Sequence, residues 1–228
     1  AVAMSRKLFL LRHGQTEYNA TGRMQGQLDT ELSAVGRKQA DIAAQYLSRQ
    51  HIGRIISSDL SRAKTTAQAV ASKLDVPVEI DKRLRETNLG QWQGKSHAEV
   101  DGALPGARAQ WRHDATWAPP GGETRLEVAE RARAVVDEMM ASWEQWDDDH
   151  ALLLVAHGGT IGALTSALLD VPVSHYPMFS GLKNTCWAEL TARPKFEASR
   201  ADHGVGEFAG AESAQWYLDG WNIGQVMR

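Results

Sequence analysis

The chain has 228 residues, 43% of them apolar and 23% charged, with a formal net charge of -3. That length suits one sizeable domain carrying at most an inserted cap, and that charge excludes a general binder of nucleic acid or anionic membrane, so any basic site must be local. The single cysteine, Cys186, excludes an internal disulfide and a thiolate metal cage and fits a reducing, cytoplasmic setting.

No run of apolar residues is long enough to span a bilayer, and the start "AVAMSRK" lacks the apolar stretch of a signal peptide. Ala1 to Ala3 precede Met4 and are set aside, which leaves one expected domain over 4–228. Lys7 to Leu11 is a nearly continuous apolar run, the pattern of a strand covered on both faces. It ends in Arg12-His13-Gly14, a polar tip that is unfavourable on a buried strand unless something offsets it. Ser33 caps a helix that runs to about Arg49, with Val35, Ile42, Ala43, Tyr46 and Leu47 toward one face. Arg54 to Ser57 is a second strand; Ser57-Ser58-Asp59 then leads into a helix over Arg62 to Leu74. Val76 to Ile80 is a third strand, placed at an edge by Pro77, and Arg83-Leu84-Arg85-Glu86 follows it.

Gly94 to Gly122 carries Trp111, Trp117 and several turn residues but no convincing strand, and reads as an insertion over one end of a sheet, a lid. After Pro119-Pro120-Gly121-Gly122, the Thr124 to Glu127 spacing is that of a capping box, opening a long helix that ends near Trp146. Ala151 to Ala156 is a strand ending in His157-Gly158-Gly159, with a helix over Gly158 to Leu169, and Thr185 to Leu190 is a last strand. This alternation implies an α/β fold: a three-layer α/β/α arrangement around a largely parallel sheet.

In such a sheet ligands bind at the carboxyl ends of the strands, where loops surround a crevice and helix N-termini offer N–H donors. Four polar clusters follow strands, and together they would bring Arg12, His13, Arg62, Glu86 and His157 to one place. Two guanidinium forks with two imidazoles suit a phosphate dianion. A neutral imidazole attacking phosphorus in line would form a phosphohistidine, with the cations stabilising the equatorial oxygens. Glu86 would protonate the leaving alkoxide, which requires its pKa to be raised by partial burial, and afterwards activate water. The rival is a metal site of His13, His157 and Glu86; Arg12 and Arg62 count against it, since they would repel a divalent cation, so no metal and no cofactor is expected.

The runs "LRHGQTEYN", "SSDLSRAKTTA", "RLRETNLGQWQG" and "LVAHGG", in that order, resemble the histidine phosphatase superfamily, in its phosphoglycerate-mutase-like branch, over almost the whole chain. The resemblance implies His13 as nucleophile, Glu86 as proton donor, and Arg12, Arg62 and His157, joined by Asn19, as the phosphate pocket. It further implies Gln25 and Gly26 as substrate contacts and Asn184 as the asparagine before a late strand. The short stretch between Glu86 and His157, and Gln25 itself, resemble phosphatase members more than mutases. The runs "RMQGQLDTEL", "PGARAQWRHDATWAP" and "LDGWN" resemble actinobacterial phosphatases that convert glucosyl-3-phosphoglycerate to glucosylglycerate, a precursor of methylglucose polysaccharide.

A phosphorylated sugar acid of that kind needs a second basic group and a flat apolar face. Arg108, Arg112 and His113 are candidates to meet its carboxylate, and Trp111 or Trp117 to stack on its sugar; the alternative is that both tryptophans pack the insert and the arginines are solvated. The competing functions are a broad-specificity phosphatase, a phosphoglycerate mutase, or a non-catalytic binder of phosphorylated ligands. Relatives implied by the resemblance are dimers, and Ala211 to Asn222 offers an apolar contact, unless Trp216 and Trp221 pack on the chain's own core. His51, His97, His150, His175 and His203 are given no role, except His97 as a candidate in the insert, and Cys186 reads as a buried small apolar residue.

Overall fold

The computed structural model describes residues 4–196 and 206–224; His203 lies outside them. The strands are β1 (Arg6–Arg12), β2 (Ile52–Ser57), β3 (Val78–Ile80), β4 (Ala151–Ala156), β5 (Trp187–Pro194) and β6 (Ala214–Ile223). The helices are α1 (Glu17–Ala20), α2 (Ala34–Leu47), α3 (Ser61–Leu74), α4 (His97–Ala103), α5 (Ala107–His113), α6 (Arg125–Ser142) and α7 (Gly158–Leu168). The six strands form one mixed sheet in the order β3-β2-β4-β1-β5-β6. β1 pairs in parallel with β4, β4 with β2 and β2 with β3, while β5 and β6 are added antiparallel. Those three parallel pairings send the carboxyl ends of β1 to β4 to the same edge.

Both faces are covered, as the continuous apolar runs require. Along β1, Leu8 and Leu10 point into one core and Phe9 and Leu11 into the other; on β4, Leu152 and Leu154 alternate in the same way with Leu153 and Val155. The first core is closed by Val135, Val136 and Met140 of α6 and Ile161 and Leu164 of α7. The second is closed by Ala43, Ala44 and Leu47 of α2 and Ala63, Ala67 and Val70 of α3.

Capping follows the residues. Ser33 Oγ accepts the Gly36 N–H, and Thr124 with Glu127 forms the reciprocal box that starts α6. β3 is the edge strand that Pro77 implies.

Several details differ from the sequence reading. The buried stripe of α2 is Leu47 with the small residues Gly36, Ala40, Ala43 and Ala44, which let the helix approach the sheet, whereas Val35 and Tyr46 are exposed. α6 stops at Ser142, and Trp146 instead fills the core, its Nε1–H donated to the Lys7 carbonyl at 2.9 Å. The insert holds two short helices, α4 and α5, packed through Val100, Trp92, Trp111 and Trp117. β6 has no counterpart among the expected strands; its Trp216 is buried against Trp146.

Candidate active site

Arg12 ends β1 and His13 follows it; Arg62 lies in the first turn of α3, Glu86 follows the turn after β3, and His157 caps α7. Arg12 and Ala156 are partners in the β1–β4 register. The two residues that follow them therefore leave adjacent strands side by side, and the His13 and His157 rings meet edge to face with centroids 5.1 Å apart.

His13 is buried, and its Nδ1 lies 2.7 Å from the Gly14 carbonyl. A carbonyl only accepts, so the proton sits on Nδ1 and the Nε2 lone pair is free. Burial above all, then the charges of Arg62 and Arg12, holds the ring well below the ordinary histidine range, so it is a neutral imidazole at pH 7. His157 is depressed in the same way, by burial first and then by Arg62 and His13. Its Nε2 meets Ser58 Oγ at 2.9 Å. That oxygen also accepts the Leu60 N–H; when the hydroxyl gives its own hydrogen to Nε2, the imidazole proton sits on Nδ1.

Arg12 donates Nη1 to the Leu182 carbonyl. Arg62, 1% exposed, donates to the carbonyls of Leu28 at 2.5 Å and Gly26 at 2.7 Å. Burial lowers both guanidinium groups, Arg62 to about 10, which leaves them cationic at neutral pH. Arg12 Nε, Arg62 Nε and His157 Nδ1 are all buried with no hydrogen-bond partner among the described residues. Each such donor costs about 1–3 kcal/mol if left unmet. Three of them around one neutral imidazole suit a ligand rich in acceptor oxygens.

Glu86 is held by the N-terminus of α7. Its Oε1 accepts the N–H groups of Thr87 at 2.7 Å and Thr160 at 3.1 Å, and its Oε2 accepts that of Gly159 at 3.1 Å. The approach requires glycine: a Cβ at residue 159 would stand 2.6 Å from Glu86 Oε1. Gly14 is required similarly, because a Cβ there would meet the Gly36 carbonyl oxygen at 2.4 Å, where α2 begins. Arg131 fixes the Glu86 loop from behind, donating to the carbonyls of Arg83, Arg85 and Glu86 at 2.7, 2.7 and 2.9 Å while paired with Glu123 at 3.0 Å. Among the described residues, no three His, Cys, Asp or Glu side chains gather as metal ligands.

Residues 8–200 match the family described as the histidine phosphatase superfamily (branch 1). The chain belongs to that superfamily. The glucosyl-3-phosphoglycerate phosphatase of Mycolicibacterium vanbaalenii is 50% identical to it over 220 residues, covering 95% of this chain and 94% of that one. The Mycobacterium tuberculosis H37Rv protein of the same name is 48% identical over 222 residues, covering 96% and 95%. A solved mycobacterial glucosyl-3-phosphoglycerate phosphatase in complex with VO3 superposes with a TM-score of 0.86 at 47% identity, covering 96% of this chain and 100% of that one.

In this histidine phosphatase a cavity of about 240 Å³ opens over the four strand ends. Arg12, His13, Arg62 and Glu86 line it, and the His157 ring packs edge to face on that of His13. Asn19, Gln25 and Gly26 border the cavity on one side, and Arg108 and Arg112 reach it from the insert. Gln25 also braces that side, its Oε1 accepting from the Thr16 and Thr30 hydroxyls, and Asn184 donates to the His13 carbonyl at 3.2 Å.

His113 does not reach the cavity. Arg108 and Arg112 are four apart on α5 and share a face, whereas His113 is turned one residue further and is exposed, its Nδ1 against the Ala109 carbonyl at 2.7 Å. Arg108 is engaged by Asp101 through two bonds of 2.8 and 2.9 Å. Trp117 packs on Trp92 inside the insert, while Trp111 both packs on Trp92 and lines the cavity. His97 is on the cavity wall, and Cys186 is buried. Four contributors have no counterpart in the sequence reading: Arg23 on the wall, Ser58 behind His157, Arg131 behind Glu86, and Arg125 beside Trp111. Of these only Ser58 stood in a run already marked as polar at a strand exit.

Proposed function

We propose that this chain is a phosphomonoester hydrolase that works through a phosphohistidine and dephosphorylates glucosyl-3-phosphoglycerate to glucosylglycerate. The observation that carries the reading is the set of buried, unpartnered donors, Arg12 Nε, Arg62 Nε and His157 Nδ1, gathered about a neutral His13. The phosphate enters with its oxygens on those donors. His13 Nε2 attacks phosphorus as the ester P–O bond breaks, and the charge on the equatorial oxygens is met by Arg12, Arg62 and the His157 Nδ1–H. Glu86 passes a proton to the departing alkoxide from Oε2, the oxygen with one backbone partner. Water then attacks phosphorus, Glu86 takes its proton, and the N–P bond breaks to release phosphate and restore His13.

The substrate assignment is supported by relatives of that name at about half identity over nearly the full chain, and by the arginines and Trp111 that the insert adds to the cavity. On that reading 94–122 is a cap on a single domain of 4–228. A comparison of kcat/KM tests the assignment, with the glucosyl compound expected to exceed its mannosyl counterpart, 3-phosphoglycerate and an aryl phosphate by tenfold or more; equality removes the substrate and leaves the reaction class. Rapid quench should trap an acid-labile, base-stable phosphoryl adduct that His13→Ala abolishes, and an adduct on serine would overturn covalent catalysis by His13.

Two further parts of the proposal concern setting. The lone buried Cys186 is in keeping with a cytoplasmic enzyme, and no helix of the described residues is long and apolar enough to cross a membrane. β6 is a sheet edge that exposes Tyr217 and Leu218, and it is our candidate for a contact with a second copy. Light scattering should then report twice the chain mass for the unaltered protein and less for Leu218→Glu; a single-chain mass for the unaltered protein removes the contact.

A further inference from the structure

Beside the phosphate cavity lies a second and larger one of about 390 Å³. Trp111, Arg112 and Gly159 border both, so the two adjoin beside Glu86, whose Oε2 accepts the Gly159 N–H at 3.1 Å. Its floor is the small-residue face of α7, Gly159, Gly162 and Ala163, and its far wall is aromatic, Tyr176, Phe179 and Trp221. At Gly162 a Cβ would meet nothing within 4 Å, so the floor faces open space. Polar hexose rings with apolar C–H faces suit such a mixture of aromatic wall and exposed backbone.

Two of the residues lining this chamber carry polar groups that the protein leaves wholly or largely unpartnered. Trp111 Nε1 is buried with no hydrogen-bond partner. Arg125, the first residue of α6, lies with its guanidinium 5.0 Å from the centre of the Trp111 ring and donates one bond, to the Arg112 carbonyl at 3.0 Å. No carboxylate among the described residues pairs with it, in contrast to Arg108 on Asp101 and Arg131 on Glu123. Burial lowers its pKa and leaves it cationic at neutral pH, with Glu86 the chief charge that it feels. A half-buried cation stacked on an indole and lacking an anion is a receptor for one.

We infer that this second cavity is the leaving-group subsite, in which Arg125 binds the carboxylate of the acid and the chamber takes the sugar ring, with Trp111 Nε1–H donating to a sugar hydroxyl. The inference rests on the proposed phosphatase reading and assigns the carboxylate to Arg125 in place of Arg108, which Asp101 already holds.

The test reads ratios of kcat/KM within each protein, so that a general loss of activity cancels. 3-Phosphoglycerate and glycerol 3-phosphate differ by a carboxylate against a hydroxymethyl group, and Arg125→Gln should lower the ratio of the first to the second by tenfold or more, with Arg125→Lys between. Gly162→Leu should lower the ratio of glucosyl-3-phosphoglycerate to 3-phosphoglycerate by a similar factor, because its side chain would project into the chamber. An unchanged ratio in Arg125→Gln overturns the carboxylate assignment, and an unchanged ratio in Gly162→Leu overturns the sugar assignment. If the unaltered protein shows no preference for the glucosyl compound, the substrate reading and the sugar half fail together. The Arg125 ratio still decides the carboxylate half.

Discussion

His13 has to satisfy two opposed demands: it must stand among cations that hold phosphate, and it must keep its own lone pair. The bond from Nδ1 to the Gly14 carbonyl selects the tautomer, and burial with Arg62 and Arg12 disfavours the imidazolium. The folded ring therefore takes up a proton only at a pH below the usual value of about 6.5. In an NMR titration of the free enzyme, the His13 and His157 rings should remain neutral through pH 6.5 and protonate at lower pH. A midpoint at or above 6.5 for His13 would contradict the proposed nucleophile. The residues that make this centre were legible because each sits in or next to a short polar run that follows a strand. Arg131 and Arg125 were not, since each reads as one more charge in a helix, and only their tertiary contacts, to the Glu86 loop and to Trp111, separate them from solvated neighbours. Likewise the need for Gly14 arises from Gly36 in another run, a proximity that no local pattern contains.

At the scale of elements, the entry into α7 is the part on which proton transfer depends. Its free N–H groups bind Glu86, and Gly159 leaves the space for that approach. Gly159→Ala should move the carboxyl, which is the mobile end of a side chain, more than it disturbs the helix, since alanine favours a helical position over glycine by about 1 kcal/mol. Proton donation contributes roughly 10²–10⁴-fold where the leaving group is a poor one. The variant should therefore lose kcat/KM on an alkyl phosphate far more than on p-nitrophenyl phosphate, with its melting temperature little changed; parallel losses on both would show that Glu86 is not the group affected. The central strands and main helices were readable from periodicity because both faces of β1 and β4 are buried. β6 was not, because its pattern is mostly exposed or half-buried and it carries Asp219, Gly220 and Asn222. α4 and α5 are each 7 residues long and share a cluster with Trp92, Trp111 and Trp117, too short for a helical period to stand out from a turn-rich insert.

For the whole molecule, the same two imidazoles tie stability to pH. His13 and His157 are depressed by burial in the folded chain, while in the unfolded chain each titrates near 6.5. Below that value the unfolded state binds protons that the folded state refuses, so unfolding free energy rises with pH across the window between the folded and unfolded pKa values. The stabilisation is fully present above the unfolded value and is lost as pH falls toward the folded one. Each histidine contributes a slope of up to about 1.4 kcal/mol per pH unit in that window, and the pair up to about 2.7. Urea unfolding between pH 4.5 and 7.5 should show this acid-side slope, and either His13→Gln or His157→Gln should reduce it by about one proton's share whatever it does to stability at pH 7. Identical slopes in the variants would mean that the rings bind protons alike in the folded and unfolded chain, so that burial and the two arginines do not hold His13 neutral below its ordinary range.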